Sequence, residues 1–144
     1  MLMKRVVVTG MAALTPLGNN WEENALKLKG QVTGIQKMND WEKYKGLNTQ
    51  LAAPVNFSKP PGFTRKQMRG MSRVALLATY TTELALSDAG LLGHKCLKDG
   101  QTGVAYGSSS GGFDGLIDFT KMLLGFDKSG LNATSYIRMM GHTC

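Results

Sequence analysis

Val6, Val7 and Val8 form a β-branched apolar run with no polar alternation, the pattern of a central strand covered on both faces. The run starts at Arg5 and breaks at Gly10 into a loop punctuated by Pro16 and Gly18. Trp21, Ala25 and Leu28 then recur at helical spacing, with Asn19 or Asn20 as a cap and Gly30 as a stop, which predicts a helix over 21–29. Residues 31–48 are polar and irregular, and 51–55 reads as a short strand. The strongest period follows. Met71, Val74, Ala75, Ala78, Ala85 and Ala89 share one face of a helix that Leu77 and Leu84 widen and Gly90 ends. So many alanines on one face imply close packing against a neighbour. Residues 102–106 predict a second central strand, Gly107-Ser108-Ser109-Ser110-Gly111-Gly112 a turn, and 113–124 another helix. Strands alternating with helices predict an α/β domain, with a parallel sheet and right-handed crossovers.

Length and composition narrow the class. The 144 residues carry no repeat, low-complexity tract or Pro/Gly/Ser-rich linker, so one domain over 1–144 is the simplest organisation. With 42% hydrophobic and 19% charged residues the chain reads as globular, and no apolar run approaches the ~20 residues that span a bilayer. Met1 to Lys4 run straight into the first strand, which leaves no room for a signal peptide and makes a cytoplasmic location the expectation. The cysteines, Cys96 and Cys144, suggest neither a disulfide framework nor a zinc or redox pair, so reduced thiols are expected. Seventeen basic against ten acidic residues give a net charge of +7, which attracts an acidic partner: nucleic acid is one candidate, an acidic carrier protein another.

A dehydrogenase fingerprint would place glycines where Leu14 and Pro16 stand, and Pro16 has no N–H for a phosphate. The Gly107–Gly112 turn lacks the lysine of a nucleoside triphosphate loop; from the residues alone it is a strand-to-helix turn whose serines cap the next helix. Arg65, Lys66, Arg69 and Arg73 gather at the start of the long helix, where the helix dipole does not favour cations. They form either a solvated face or a docking patch. His94 and His142 have too few neighbouring ligands for a metal site, and His94 reads as a surface residue. His142 beside Cys144 also admits a Cys-His nucleophile.

Val6-Val7-Val8-Thr9-Gly10 followed by Thr15-Pro16-Leu17-Gly18, the helix ending Ser87-Asp88-Ala89-Gly90-Leu91, and the segment Tyr136 to Cys144 together resemble the β-ketoacyl-acyl carrier protein synthases. The resemblance covers the whole chain but only about the first third of that family. It implies part of the first half of a thiolase-like fold, mostly parallel sheet with covering helices. It also implies decarboxylative Claisen condensation of an acyl thioester with malonyl-carrier, in fatty acid or polyketide synthesis. No metal or cofactor is expected. The partners implied are acyl carrier protein rather than nucleic acid or membrane, and a second subunit in a homodimer or a ketosynthase-like pair.

Residue by residue, Lys66 and Arg69 match the family's carrier-docking cations, whereas Gly70 stands where another cation is common. Ser110 matches a position beside the acyl pocket that often holds a larger apolar residue, so a bulkier or stiffer chain is accommodated. Ile137 matches a segment that reaches the neighbouring subunit's acyl cavity. Ala12 replaces a usual second glycine in the first loop. The family's nucleophilic cysteine follows the segment ending at Cys144, and its two histidines lie later still, so Cys144 is not the nucleophile and residues 1–144 alone are expected to be inactive. A non-catalytic partner of the chain-length-factor kind would share all these features.

Overall fold

The computed structural model describes residues 4–126 and 131–140. Helix α1, Trp21–Lys29, starts where Asn20 accepts the Glu23 N–H at 2.8 Å and ends at Gly30, as its spacing predicts. The preceding turn closes on itself: Thr15 N–H donates to the Gly18 carbonyl at 2.9 Å and Gly18 N–H to the Thr15 carbonyl at 3.2 Å. Asn24 knits this turn to the helix. Only 1% exposed, it donates to the carbonyls of Asn20 (2.7 Å), Ala13 (3.1 Å) and Gly18 (3.2 Å), and the Thr15 hydroxyl donates to its Oδ1. Lys27 adds an outer brace, from Nζ to Glu23 Oε1 at 2.8 Å and to the Leu17 carbonyl. The Lys27 ammonium, and then the Asn19 N–H, hold the Glu23 carboxyl below the usual carboxylate range. That brace is therefore in place above the ordinary carboxyl pKa and lost as acid protonates Glu23.

The described residues hold one named sheet, an antiparallel pair of β1, Gln36–Lys37, and β2, Leu51–Ala52, with Gln36 opposite Ala52. The strand expected over 51–55 is thus shorter than its apolar run, and its partner lies in a segment whose polarity hid it.

Residues 65–88 form two helices rather than one. Helix α2, Arg65–Met68, is capped reciprocally by Thr64 and Gln67, with Gln67 Oε1 accepting Thr64 N–H at 2.9 Å and Thr64 Oγ1 accepting Gln67 N–H at 3.3 Å. Gly70, at φ +96°, breaks the chain before Ser72 caps α3, Arg73–Asp88. Arg65, Lys66 and Arg69 therefore lie ahead of the long helix, and of the four clustered cations Arg73 alone stands in its first turn. Helix α3 is the scaffold. The N-terminal segment crosses its end, where a Cβ on Gly10 would lie 2.5 Å from the Ala85 carbonyl oxygen and Met11 N–H donates to Asp88 at 2.8 Å. At its start Arg73 donates to the carbonyls of Phe57 (3.1 Å) and Val55 (3.0 Å) and lies over the Phe57 ring. Tyr80 stacks obliquely on Phe57 and edge-on to Phe63. Helix α4, Phe113–Leu123, then packs against α5, Ala133–Met139, an element the sequence reading did not separate from its surroundings.

The two predicted central strands require correction. Residues 5–9 and 102–106 run outside helices and turns but pair with no strand among the described residues, and the expected parallel sheet is not formed by them. Val6 is 92% exposed, Val8 79% and Val104 76%. A β-branched run needs a neighbour's N–H and C=O groups and apolar cover on both faces, and the described residues supply neither. The accessible surface, 11481 Å², says the same for the chain as a whole. A compact protein of this mass exposes about 7,200 Å². No helix among the described residues is long and apolar enough to cross a membrane.

Asn24→Ala in the intact protein is expected to cost about 1 to 3 kcal/mol, because it strips hydrogen bonds from three carbonyls and one hydroxyl at once. Asn24→Asp should cost more, since a carboxylate would face the same carbonyl oxygens. Urea midpoints of the two variants test both statements, and equal stability to the parent would refute the linchpin role of Asn24.

Candidate functional site

The Gly107–Gly112 loop is shaped by what it touches. A Cβ on Gly111 would collide with the Met139 carbonyl, and one on Gly112 would lie 2.5 Å from Ser72 Cβ and 2.7 Å from the Arg138 carbonyl oxygen. One turn into α4, a Cβ on Gly115 would lie 2.7 Å from the Ser135 carbonyl oxygen. These glycines let loop and α4 backbone lie directly on α5, and Gly112 N–H donates to the Arg138 carbonyl at 2.6 Å. The serines do not cap α4 as the sequence reading expected. Gly112 is the N-cap and brings no side chain, while the Ser108 hydroxyl donates to the Ser110 carbonyl at 2.5 Å.

This contact brings the segments of Ser110 and Ile137 together. Ser110 is exposed at the loop, two residues before the glycine that bonds Arg138, and Ile137, on α5 and 48% exposed, immediately precedes Arg138. The segments meet through main chain.

Lys66 and Arg69 lie together as expected, and with more company. With Arg65 from α2 they line an open cleft of about 820 Å³ whose opposite wall is Asn132, Thr134 and Arg138 around α5. Arg73, the fourth member of the sequence cluster, is spent elsewhere on the carbonyls of Val55 and Phe57. Arg138 takes its place in the cleft. Sequence reasoning missed Arg138 because it stands 69 residues after Arg69, and only the packing of α5 brings it to the same space. Among the described residues no Asp or Glu lines this cleft.

Among the described residues no group of three or more His, Cys, Asp or Glu side chains could share a metal ion. His94 caps a short 3-10 turn, Nδ1 accepting the Cys96 N–H at 3.2 Å, which accounts for it as an exposed structural residue. His142 and Cys144 lie outside the described residues.

The sequence profile of the β-ketoacyl synthase N-terminal domain matches residues 3–141. The chain belongs to the β-ketoacyl synthases. A crystallised β-ketoacyl synthase from Burkholderia phymatum superimposes with a TM-score of 0.88 at 43% identity, over 98% of this chain and 35% of its own. Among curated relatives, 3-oxoacyl-[acyl-carrier-protein] synthase 2 of Staphylococcus aureus is 38% identical over 118 residues, covering 77% of this chain and 27% of the relative. 3-Oxoacyl-[acyl-carrier-protein] synthase 1 of Escherichia coli K12 is 30% identical over 112 residues, covering 76% and 27%. This β-ketoacyl synthase chain thus spans about a quarter to a third of the length of the proteins it matches. Its fold is thiolase-like, and the mixed α/β class read from the sequence holds.

The glycine contacts give a graded expectation. Gly112→Ala and Gly115→Ala should each cost about 1 to 3 kcal/mol, because the new methyl meets backbone that cannot swing aside. Gly30→Ala, whose Cβ would find nothing nearer than 3.4 Å, should be close to neutral. Thermal denaturation of the three variants in the intact protein checks the order, and an equal effect at all three would remove the steric account.

Proposed function

We propose that this chain is the N-terminal part of a 3-oxoacyl-[acyl-carrier-protein] synthase that extends acyl chains in the cytoplasm, in fatty acid or polyketide synthesis. The observation that carries this reading is the coincidence of the family match over 3–141 with a cationic cleft in which Lys66 and Arg69 sit together. The reaction is a decarboxylative Claisen condensation. A cysteine thiolate takes the acyl group from its carrier thioester, and the carrier thiol leaves. The bond from the malonyl α-carbon to its carboxylate breaks, carbon dioxide departs, and the electron pair left on that carbon attacks the acyl carbonyl as the cysteine sulfur leaves. On this reading the nucleophile and its histidines lie outside residues 1–144, and the segment alone is inactive.

The role of these residues is to receive the carrier and shape the acyl chain. Lys66 and Arg69 meet carrier carboxylates in charge-assisted contacts, which govern encounter rate and specificity more than affinity. Ser110 lines the acyl pocket, and Ile137 closes the pocket of the second subunit of a homodimer. The close seating of the loop on α5 holds the segments of Ser110 and Ile137 at a fixed separation within one subunit.

Replacing Lys66 and Arg69 together by Glu in the complete enzyme should raise KM for carrier-bound substrate about three- to tenfold at low salt and flatten its salt dependence. An unchanged KM would make these residues a solvated face. Ser110→Phe should reject long acyl groups and keep short ones, because a ring sharing the pocket with a long chain costs about 1 to 3 kcal/mol in overlap. Measured chain-length profiles decide this, and an unaltered profile would leave Ser110 as a turn residue only.

A further inference from the structure

Helix α2 has four residues, and a single turn fixes more backbone dihedrals than its few hydrogen bonds offset. Such an element does not hold a direction of its own. Where Lys66 and Arg69 point is set instead by whatever fixes the two ends of their segment. At the far end Arg69 leads through Gly70, at φ +96°, and Met71 to the Ser72 cap of α3. That end is tied to α3 by a short covalent link that turns sharply.

The near end is gripped by two side chains of α3. Arg73 and Tyr80 stand about two turns apart and so share one face of that helix. The Arg73 guanidinium donates to the carbonyls of Phe57 at 3.1 Å and Val55 at 3.0 Å, and lies 5.5 Å from the centre of the Phe57 ring. Tyr80 extends the contact: its ring centre is 6.2 Å from that of Phe57 and 6.4 Å from that of Phe63, edge-on to the latter. Between these two phenylalanines Pro60 is fully buried, and Phe63 N–H donates to its carbonyl at 3.4 Å. Phe63 directly precedes Thr64, the N-cap of α2. An unbroken set of contacts thus runs from the Arg73 guanidinium to the cap of the helix that carries Lys66 and Arg69. Arginine suits the position because its planar fork takes two carbonyls at once while its flat face lies on a ring, which a lysine point charge cannot reproduce.

We propose that Arg73 and Tyr80 are positioning residues for carrier docking: by clamping residues 55–63 to α3 they set the direction of α2 and with it the placement of Lys66 and Arg69. The proposal rests on the reading of Lys66 and Arg69 as docking cations, and adds that their alignment comes from a third cation whose own hydrogen bonds are made within the chain.

The test is steady-state kinetics of the complete enzyme with carrier-bound acyl substrate at low salt. Arg73→Met should raise KM about two- to fivefold with kcat unchanged, because misaligned cations slow encounter and leave the chemistry alone. Arg73→Lys keeps the charge and loses the fork, so it should raise KM as much; it also serves if the Met variant does not fold. Tyr80→Leu should act in the same direction, and Tyr80→Phe, which keeps the ring contacts, should restore the parent value. With Lys66 and Arg69 already replaced by Glu, Arg73→Lys should add little, since both changes act through the same two side chains. The proposal is overturned by a parent KM in Arg73→Lys or in Tyr80→Leu, by a fall in kcat with KM held, or by the same fold-change in the Glu background as in the parent. The two readings fail separately. If the Lys66 and Arg69 replacement leaves KM unmoved, the docking reading falls and this proposal with it; if that replacement raises KM and Arg73→Lys does not, the proposal alone falls.

Discussion

Backbone touching backbone is the constraint on which the candidate site depends. Where the Gly107–Gly112 loop and the start of α4 meet α5, Gly111, Gly112 and Gly115 stand against the carbonyls of Met139, Arg138 and Ser135 with no room for a side chain. Because the contact is made by main chain, its geometry does not depend on rotamers, and few soft degrees of freedom separate the loop from the helix. Ser110 on one side and Ile137 and Arg138 on the other inherit that rigidity. The same contact reaches α3, since Gly112 also lies against Ser72, whose hydroxyl accepts the Ala75 N–H at 3.3 Å. The cap of the scaffold helix and the loop of the site are thus one packing event.

The scaffold helix is built to be covered. Thr79, Thr81 and Thr82 turn their hydroxyls back onto the carbonyls of Ala75, Leu77 and Ala78 at 2.7 to 2.8 Å, which satisfies them inside the helix and leaves water with little to bind. Side chains from Val74 to Leu86 are half-buried or buried around the whole circumference rather than along one stripe. A helix of that kind belongs inside a protein, with neighbours on every side. The bare faces of Val6, Val8 and Val104 make the same demand from the extended segments. Uncovered apolar faces of this extent leave the unit short of the burial that stabilises a domain of its size.

What could be read in the sequence follows from range. Helix α1 and its Asn20 cap, the end of α3 at Gly90, and the extent of α4 are set by neighbours within a few residues, and periodicity with cap chemistry found them. The two β-branched runs read as strands from composition alone, while a strand needs pairing partners that composition does not name. Asn24 was invisible for a different reason. A lone Asn inside a helical pattern gives no sign that three carbonyls converge on it until the Thr15–Gly18 turn folds back. Arg138 joined Lys66 and Arg69 only through α5 packing, and Arg73 left them because two loop carbonyls claimed it. Sequence clustering placed cations near one another; the helix break decided which of them share a cleft.

That break explains the departure at Gly70. A cation at this position would add to the charge of Lys66 and Arg69, yet Gly70 sits at φ +96°, a conformation that residues with a Cβ adopt only under strain. The turn it permits ends α2 after one cycle and re-aims the chain before Ser72, so Arg65, Lys66 and Arg69 face α5 instead of running on along α3. A Cβ on Gly70 would lie 3.7 Å from Thr134 Cγ2, so a longer side chain there would crowd the same wall of the cleft. With glycine at this position the turn leaves an opening between α2 and α5 that Arg138 helps to line. The helix break at Gly70 therefore decides which cations share a cleft with Arg138, and the two loop carbonyls that hold Arg73 decide which one does not.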